Sequence, residues 1–404
     1  MKIGILTFYR VANFGANLQA LSTYKYLINN GHTPIMINYY DKVWYANFDK
    51  NTQSDLQAQE HLRFVTEYLP NQTNLCFNVE DINAEINRHN IEAIIVGSDA
   101  VVQHHPLITR LSRGRRKPIY IAPVSSDRYF PNPLWGVGIS QEIKMALMSG
   151  SSQNSKYKLF TPGTKKSMRD AMKRFSYLGV RDNWTLKMFK EGLKVPDVHL
   201  TPDPVFALNY NAGDIVPDKT TIKTKFNLPD KYVLVSLRGQ SISYSELESL
   251  SKEFRKHSYE CVALPMPEGV TFKHPFKLEI PVPLSPIDWY ALIKNADGYV
   301  GSNMHPIVVS LHNAVPCYSI DNWGTRDWRG KATNNGSSKV EDIMKICGVG
   351  TNRVAINLVD CHIDAERVVD AIISFPVDRV RKEASILYDN YKTMMQQILE
   401  SFTM

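Results

Sequence analysis

Short apolar runs alternate with helix-forming patterns along the first half of the chain. Mostly apolar runs predict strands at residues 3–9, 33–39, 91–96, 177–180 and 198–200, and the run at 91–96 is followed by Gly97-Ser98-Asp99. Apolar positions at three- and four-residue spacing predict helices at residues 18–28, 165–175 and 184–191. Because strands and helices that alternate in this way form a parallel sheet covered on both faces, the pattern predicts an α/β domain.

A second alternating series begins after a segment of weak periodicity. Residues 209–230 are rich in Asp, Lys and Thr, and we interpret them as an interdomain linker. Strands are then predicted at residues 232–237, 261–264, 298–301 and 317–320, and helices at residues 244–257, 287–295 and 306–313. A long amphipathic helix is predicted at about residues 378–402.

The order of these elements predicts an α/β protein with two Rossmann-like domains, and the plan resembles a GT-B-like arrangement with an interdomain cleft. We place the N-terminal domain at residues 1–215 and the C-terminal domain at residues 225–377. Residues 378–404 are predicted to pack back on the N-terminal domain. The length of 404 residues is sufficient for two domains that each bury a core.

Composition excludes several classes of protein. The chain is 43% hydrophobic and 22% charged, with a net charge of +7, and its basic residues do not form a nucleic-acid footprint. Its five cysteines have neither disulfide-framework nor zinc-site spacing, so we expect reduced thiols and no metal site. No run of about 18 apolar residues occurs, which favours a cytoplasmic protein of bacterial type.

One dense basic run adds a possible partner. It consists of Arg110, Arg113, Arg115, Arg116 and Lys117. Basic clusters are attracted to anionic lipid, so this run is a candidate for contact with the inner face of the plasma membrane.

Polar residues follow most of the predicted strands, where open α/β sheets bind ligands. They include amide, carboxylate, guanidinium and imidazole groups, at Asn13, Gly15, Asn17, Asp99, Arg181, Arg238, Asn303, His305, Arg326 and Arg329. This set favours an anionic substrate in the cleft. Acceptor choice is expected to depend on loops at residues 41–51, 124–139 and 265–274.

The segment Asn13-Phe14-Gly15-Ala16-Asn17 follows the first strand directly and has two interpretations. It is an ordinary βα turn with an Asn cap, or it forms the floor of a cleft. In the second case Gly15 is needed because a Cβ would block the approach of a ligand.

Several motifs together resemble the polysaccharide pyruvyl transferase family. They are Asn13–Ala20, Val96-Gly97-Ser98-Asp99, Gly179-Val180-Arg181-Asp182, Asp203-Pro204, and His305 before Ser310-Leu311 and Val315-Pro316. The resemblance implies a GT-B-like enzyme without a cofactor. Such an enzyme moves pyruvate from phosphoenolpyruvate to a hydroxyl pair of a sugar, on a surface polysaccharide or its lipid-linked precursor, as a ketal.

The resemblance also implies roles for the candidate residues. His305 would be the acid and base, with Asp99 binding or deprotonating the acceptor. Arg181, Arg238, Asn303, Arg326 and Arg329 would bind the donor. Asn13, Gly15 and Asn17 would bind the acceptor. Each has a structural alternative: His305 or Asp99 could cap a helix, and Arg181 could form a structural ion pair.

Two departures from the family pattern leave the donor open. The family has Arg-Leu-His where this chain has Asn303-Met304-His305, and Ala100, Val101 and Val102 replace the usual Gln and aromatic after Asp99. Either Arg238, Arg326 or Arg329 replaces the missing arginine, or the donor differs. A GT-B-like glycosyltransferase that uses a nucleotide sugar and a non-catalytic glycan-binding protein are the alternative functions.

Overall fold

The fold consists of two parallel six-stranded sheets with helices packed on their faces. The computed structural model describes residues 1–113, 119–238, 242–322, 324, 337–356 and 362–403. The first sheet has the strand order β2-β1-β3-β6-β7-β8, and the second has the order β11-β10-β9-β12-β13-β14. This architecture confirms the predicted class of two Rossmann-like units.

The first sheet is formed by β1 (Lys2–Leu6), β2 (Thr33–Met36), β3 (Ala93–Asp99), β6 (Lys144–Gly150), β7 (Phe175–Val180) and β8 (His199–Leu200). A separate antiparallel hairpin consists of β4 (Leu111–Arg113) and β5 (Ile119–Ile121). The helices of this half are α1 (Phe14–Asn29), α2 (Lys42–Thr52), α3 (Leu56–Tyr68), α4 (Val79–His89), α5 (Pro162–Met172), α6 (Asn183–Lys187) and α7 (Leu208–Asn211).

The second sheet is formed by β9 (Tyr232–Ser236), β10 (Glu260–Ala263), β11 (Leu278–Glu279), β12 (Gly298–Gly301), β13 (Cys317–Asp321) and β14 (Arg353–Ala355). Its helices are α8 (Lys219–Phe226), α9 (Tyr244–Lys256), α10 (Pro286–Lys294), α11 (Met304–His312), α12 (Lys339–Ile346), α13 (Ala365–Ile373) and α14 (Val377–Ser401).

Strand β6 was not predicted, although it lies between β3 and β7 in the first sheet. Its sequence, Lys144-Met-Ala-Leu-Met-Ser-Gly150, has no β-branched or aromatic residue and reads locally as helix. Residues 145–150 are nevertheless buried, because the strand is enclosed by its two neighbours and by covering helices. Tertiary packing overrides local propensity here.

Two segments predicted as irregular are partly helical. The proposed linker at residues 209–230 contains α8, whose N-cap Asp218 accepts a hydrogen bond from Thr221 N. Only Ile222 of α8 is buried, so the helix carries almost no amphipathic signal. The predicted loop at residues 41–51 is helix α2, at whose start Asp41 Oδ1 accepts from Trp44 N at 2.8 Å.

The two halves share one hydrophobic core. Phe14 at the start of α1 stacks on Trp289 of α10, with ring centroids 4.9 Å apart. Helix α14 follows the second sheet but lies against the first, where Lys144 Nζ donates to the Phe402 carbonyl at 3.0 Å. Residues that end or follow β3, β9 and β12 line one cavity, so the carboxyl ends of both sheets border one cleft. In the described part of the chain, no helix combines the length and apolarity that a membrane span requires.

Candidate active site

Two helix N-termini, one from each half, meet in the cleft. Helix α1 follows β1, and its N-cap Asn13 accepts a hydrogen bond from Ala16 N at 3.2 Å. Helix α11 follows β12, but its N-cap Asn303 makes no capping hydrogen bond with its side chain. The Asn303 amide instead donates to Met266 Sδ at 3.6 Å. The first turn of α11 therefore presents backbone N–H groups that its own N-cap side chain does not satisfy.

Gly15 and His305 are in direct contact where these helices meet. A Cβ added to Gly15 would lie 1.9 Å from His305 Cγ, which is impossible without displacing the ring. The backbone of α1 is therefore one wall of the imidazole site. The absence of a Cβ at Gly15 leaves room for a side chain of the other half, whereas the prediction for this glycine was the approach of a ligand.

His305 is held as a neutral imidazole. Burial lowers its pKa to about 4, although Asp203 and Asp99 raise it and Arg181 lowers it further. Within the described residues its Nε2 has no hydrogen-bond partner. The ring lines the cavity and can bind a ligand or exchange a proton with it.

Arg181 lies beneath the site, and its placement corrects the expectation that it binds the donor. Its side chain is 1% exposed and pairs with Asp203 at 2.8 Å and with Asp99 at 2.9 Å. Both contacts are charge-assisted and occupy the guanidinium in the interior. Arg181 therefore positions Asp99, and the structural alternative noted for this arginine is the one observed.

Asp99 reaches the cavity wall with a depressed pKa. Burial opposes its ionisation, but the positive charges of Arg181, of His305 when protonated, and of Lys339 outweigh burial and lower its pKa. The residue ends β3 and does not cap a following helix. It is an ionised hydrogen-bond acceptor beside His305.

Asn17 does not face the cleft, which corrects its expected role in acceptor binding. Its side chain is fully buried, and its Nδ2 donates to the Tyr9 carbonyl at 2.6 Å. Its Oδ1 lies 2.7 Å from His61 Nδ1 on α3. Asn17 thus fixes the packing of α1, because helix periodicity turns this position toward the interior.

The cavity between the two halves has a volume of about 470 Å³. Its lining includes six of the predicted residues, namely Asn13, Gly15, Asp99, Arg238, Asn303 and His305. Arg238 is 68% exposed at its rim, with Nη2 at 3.8 Å from Glu268. Arg326 and Arg329 lie outside the described residues.

Lys339 is a cavity residue that the sequence did not single out. It is the first residue of α12 and lies with Asp99 and His305 in the cavity lining. Burial and Arg181 lower its pKa to about 8, against the opposing effect of Asp99. A lysine after a serine N-cap is typical of the start of a surface helix. The local sequence pattern therefore did not predict that Lys339 lines the cavity.

The cavity lining also has an aromatic part. Tyr40, which precedes α2, and Trp44 and Phe48 within α2 stack in a row, with ring centroids 5.4 Å and 5.0 Å apart and interplanar angles of 13° and 11°. Asp127 and Arg128 line the same cavity. The spacing of four residues between Tyr40, Trp44 and Phe48 is the sequence signal for the stacked rings. The prediction of a loop at residues 41–51 overlooked this signal.

Metal-binding clusters are not found among the described residues, since no group of three or more His, Cys, Asp or Glu side chains could hold an ion. Cys76, Cys261, Cys317 and Cys347 are free and buried. Cys361 lies outside the described residues.

Comparisons with known proteins agree with this architecture. The chain superimposes on UDP-GlcNAc 2-epimerases from Neisseria meningitidis (TM-score 0.54, 10% identity, 99% of this chain and 100% of that one) and Rickettsia bellii (0.51, 10%, 100% and 97%). At this identity the likeness shows the fold alone. No curated protein matches the chain in sequence. The family model for polysaccharide pyruvyl transferase matches residues 13–324, and the chain therefore belongs to the polysaccharide pyruvyl transferase family.

Proposed function

We propose that the protein transfers the pyruvate unit of phosphoenolpyruvate to two hydroxyls of a sugar, forming a ketal on a surface polysaccharide or its lipid-linked precursor. The observation that carries this proposal is the neutral imidazole of His305, held against Gly15 at the meeting point of two helix N-termini. Anion recognition and proton transfer are both available at this point.

Donor binding is assigned to the side of the second sheet. Phosphoenolpyruvate carries a carboxylate and a phosphate, which require several donors and positive charges. The N-terminus of α11 supplies backbone N–H groups, and Lys339 and Arg238 supply positive charge in the lining of the same cavity. We infer that Lys339 replaces the arginine that the family has at the position of Asn303.

His305 would protonate the donor once the anion is bound. Burial lowers its pKa to about 4, and a neighbouring anion raises the pKa of an imidazole. The proton would move from His305 to C3 of the enol, leaving a cationic C2. The first sugar hydroxyl forms a C–O bond to C2. The second displaces phosphate, and the two hydroxyl protons return to His305 and to the phosphate.

The test is release of phosphate from phosphoenolpyruvate with methyl galactoside, glucoside and mannoside, together with NMR detection of the new ketal methyl group. The His305→Ala variant should lower turnover by about two to four orders of magnitude, the usual contribution of a general acid. His89→Ala, on α4 away from the cavity, is the matched control. Near-normal turnover in His305→Ala would refute the assignment.

A nucleotide-sugar glycosyltransferase is the second candidate, favoured by the absence of the family arginine at Asn303. UDP release from a UDP-sugar panel, without phosphate release from phosphoenolpyruvate, would identify this function. In that case Lys339 and the N-terminus of α11 would bind a diphosphate rather than phosphoenolpyruvate.

We also propose that the β4–β5 hairpin contacts an anionic membrane surface. Leu107, Ile108, Leu111, Tyr120 and Ile121 on or beside the hairpin are 44% to 62% exposed. No acidic residue occurs between residues 100 and 126, whereas five basic residues do. Of these, Arg115, Arg116 and Lys117 lie outside the described residues. Apolar side chains beside basic charge are suited to the interface of an anionic bilayer.

Vesicle sedimentation tests this contact. The protein should bind phosphatidylglycerol-containing vesicles more tightly than pure phosphatidylcholine vesicles, and salt should weaken the binding. Ile108→Ser with Leu111→Ser should release it, whereas Ile373→Ser with Ile386→Ser, on α13 and α14, should not. Equal binding by both double variants would contradict the proposal.

A further inference from the structure

Asp127 is a buried carboxylate in the cavity wall on the side of the first sheet. It is 5% exposed, and its Oδ1 has no hydrogen-bond partner within the described ranges. Burial raises its pKa, against the opposing effects of the Ser125 hydroxyl and Arg128. A buried carboxylate oxygen without a donor is costly, and a ligand that donates a hydrogen bond would relieve this cost.

The position of Asp127 is fixed by the start of helix α2. Asp127 lies in a turn at Ser126–Arg128, and both the backbone N and the Oγ of Ser126 donate to Asp41 Oδ2, at 2.9 Å and 2.7 Å. Asp41 directly precedes α2, and its Oδ1 accepts from Trp44 N. The turn that carries Asp127 and the helix that carries the stacked rings are therefore one connected unit.

The stacked rings of Tyr40, Trp44 and Phe48 line the same cavity as Asp127. An aromatic surface with a few oriented polar groups is the usual composition of a site for an amphipathic small molecule. A sugar has this character, since its C–H groups pack on rings while its hydroxyls donate hydrogen bonds. A carboxylate oxygen without a donor favours a ligand that donates a hydrogen bond, and the negative charge of Asp127 repels an anion.

We propose that Asp127 and the ring wall of α2 form the acceptor subsite, which takes a neutral sugar and in which Asp127 receives the proton of the attacking hydroxyl. The inference rests on the proposed function. As the hydroxyl oxygen forms its bond to C2 of the protonated donor, the O–H bond breaks and its proton moves to Asp127 Oδ1. The departing phosphate takes up this proton, which restores the carboxylate.

The subsite separates the two substrates by charge. The anionic donor binds at Lys339 and His305, and the neutral acceptor binds at Asp127 and Trp44, which line the same cavity. The titratable and charged neighbours that affect Asp127 are Asp41 and Arg128. Tyr39 also couples to Asp127, and its pKa is raised to about 12, so it stays neutral across the working range.

The Asp127→Asn variant tests the subsite, with Asp49→Asn as the matched control, since Asp49 is an exposed residue of α2 with the same charge. Calorimetric titration with phosphoenolpyruvate, without acceptor, should give the same Kd for wild type and both variants within about twofold. Asp127→Asn should lower kcat/KM for the methyl glycoside acceptor at least about a hundredfold, the lower range for a lost general base. Asp49→Asn should behave as wild type.

A pH profile distinguishes this role from a structural one. The wild-type rate should rise with pH as Asp127 ionises, and that limb should be absent in Asp127→Asn. Trp44→Ala should raise the acceptor KM and leave the limb in place. Unchanged acceptor kcat/KM in Asp127→Asn, or an equal loss of phosphoenolpyruvate binding, would overturn the subsite. Failure of wild type to bind phosphoenolpyruvate would instead overturn the proposed donor, and acceptor titrations of wild type and Asp127→Asn would still decide the subsite.

Discussion

At the scale of single residues, the contact between Gly15 and His305 makes the sharpest prediction. Gly15→Ala places a Cβ where the imidazole lies, so the ring must move. Displacing a reacting group by about 1 Å can cost on the order of a hundredfold in rate, and we expect turnover to fall by about that factor. Steady-state kinetics measures the fall in turnover, and a thermal melt measures any change in stability separately.

Gly163→Ala is the control for this substitution. Gly163 is the second residue of α5, as Gly15 is of α1, but a Cβ there meets nothing closer than 4.0 Å. Its replacement should leave activity unchanged and stabilise the fold by about 0.4–1 kcal/mol. If Gly15→Ala kept full turnover, the close approach would have no catalytic consequence.

The protonation of His305 makes a second residue-scale prediction. Burial lowers its pKa to about 4, and a bound anion would raise the pKa. Donor binding should therefore take up a proton, and affinity for phosphoenolpyruvate should increase as pH falls toward 5. Calorimetry in buffers of different ionisation enthalpy measures this uptake. The His305→Ala variant should retain only the proton uptake that is due to the donor's own phosphate. Identical proton uptake by wild type and His305→Ala would contradict the coupling between donor binding and protonation of His305.

At the scale of elements, the uncapped N-terminus of α11 should be optimised for a ligand rather than for stability. Asn303→Asp adds a negative charge that interacts favourably with the helix dipole, so the free energy of unfolding should rise by about 0.3–1 kcal/mol. Donor KM should rise at least about fivefold, because like charges about 4 Å apart repel by about 1 kcal/mol even in bulk water. Denaturant titration and donor kinetics test the two opposite effects.

Thr161→Asp at the N-cap of α5 provides the comparison, since it adds the same charge at a helix start away from the cavity. It should leave donor KM unchanged. An Asn303→Asp variant with wild-type donor KM would show that the N-terminus of α11 does not contact the anion.

At the scale of the whole molecule, buried neutral histidines should make the fold sensitive to acid. Burial lowers the pKa of His104 to about 4 and of His312 to about 3, and the Nδ1 of His104 accepts a hydrogen bond from Phe130 N. Because the unfolded chain binds protons first, their contribution is full above about pH 6.5 and is lost as pH falls toward these values. Each histidine can cost up to about 2 kcal/mol between pH 6.5 and pH 5.

His312→Leu tests this dependence. His312 packs between Phe206 and Tyr290, and no described residue forms a hydrogen bond with its Nε2. Removing the imidazole should reduce the difference in unfolding free energy between pH 7 and pH 5, whatever its effect on absolute stability. Urea titrations at both pH values measure this difference in unfolding free energy. An unchanged difference in His312→Leu would exclude His312 as a source of acid sensitivity.

The sequence by itself determined the class of fold and the edge of each sheet that borders the cavity. Strand and helix periods, together with the Gly, Asn and Asp residues that follow some strands, are local signals. They predicted β1, β9 and β12 and identified Asn13, Asp99, Asn303 and His305 as candidate site residues.

Only the tertiary structure decided which way side chains point and which distant residues join them. Arg181 turns inward to two carboxylates, and Asn17 packs in the interior. Strand β6 forms from helix-like residues, because its neighbours bury it. Lys339 and Asp127 enter the cavity from segments far apart in the chain, and burial, a property of the folded molecule, sets the pKa of both.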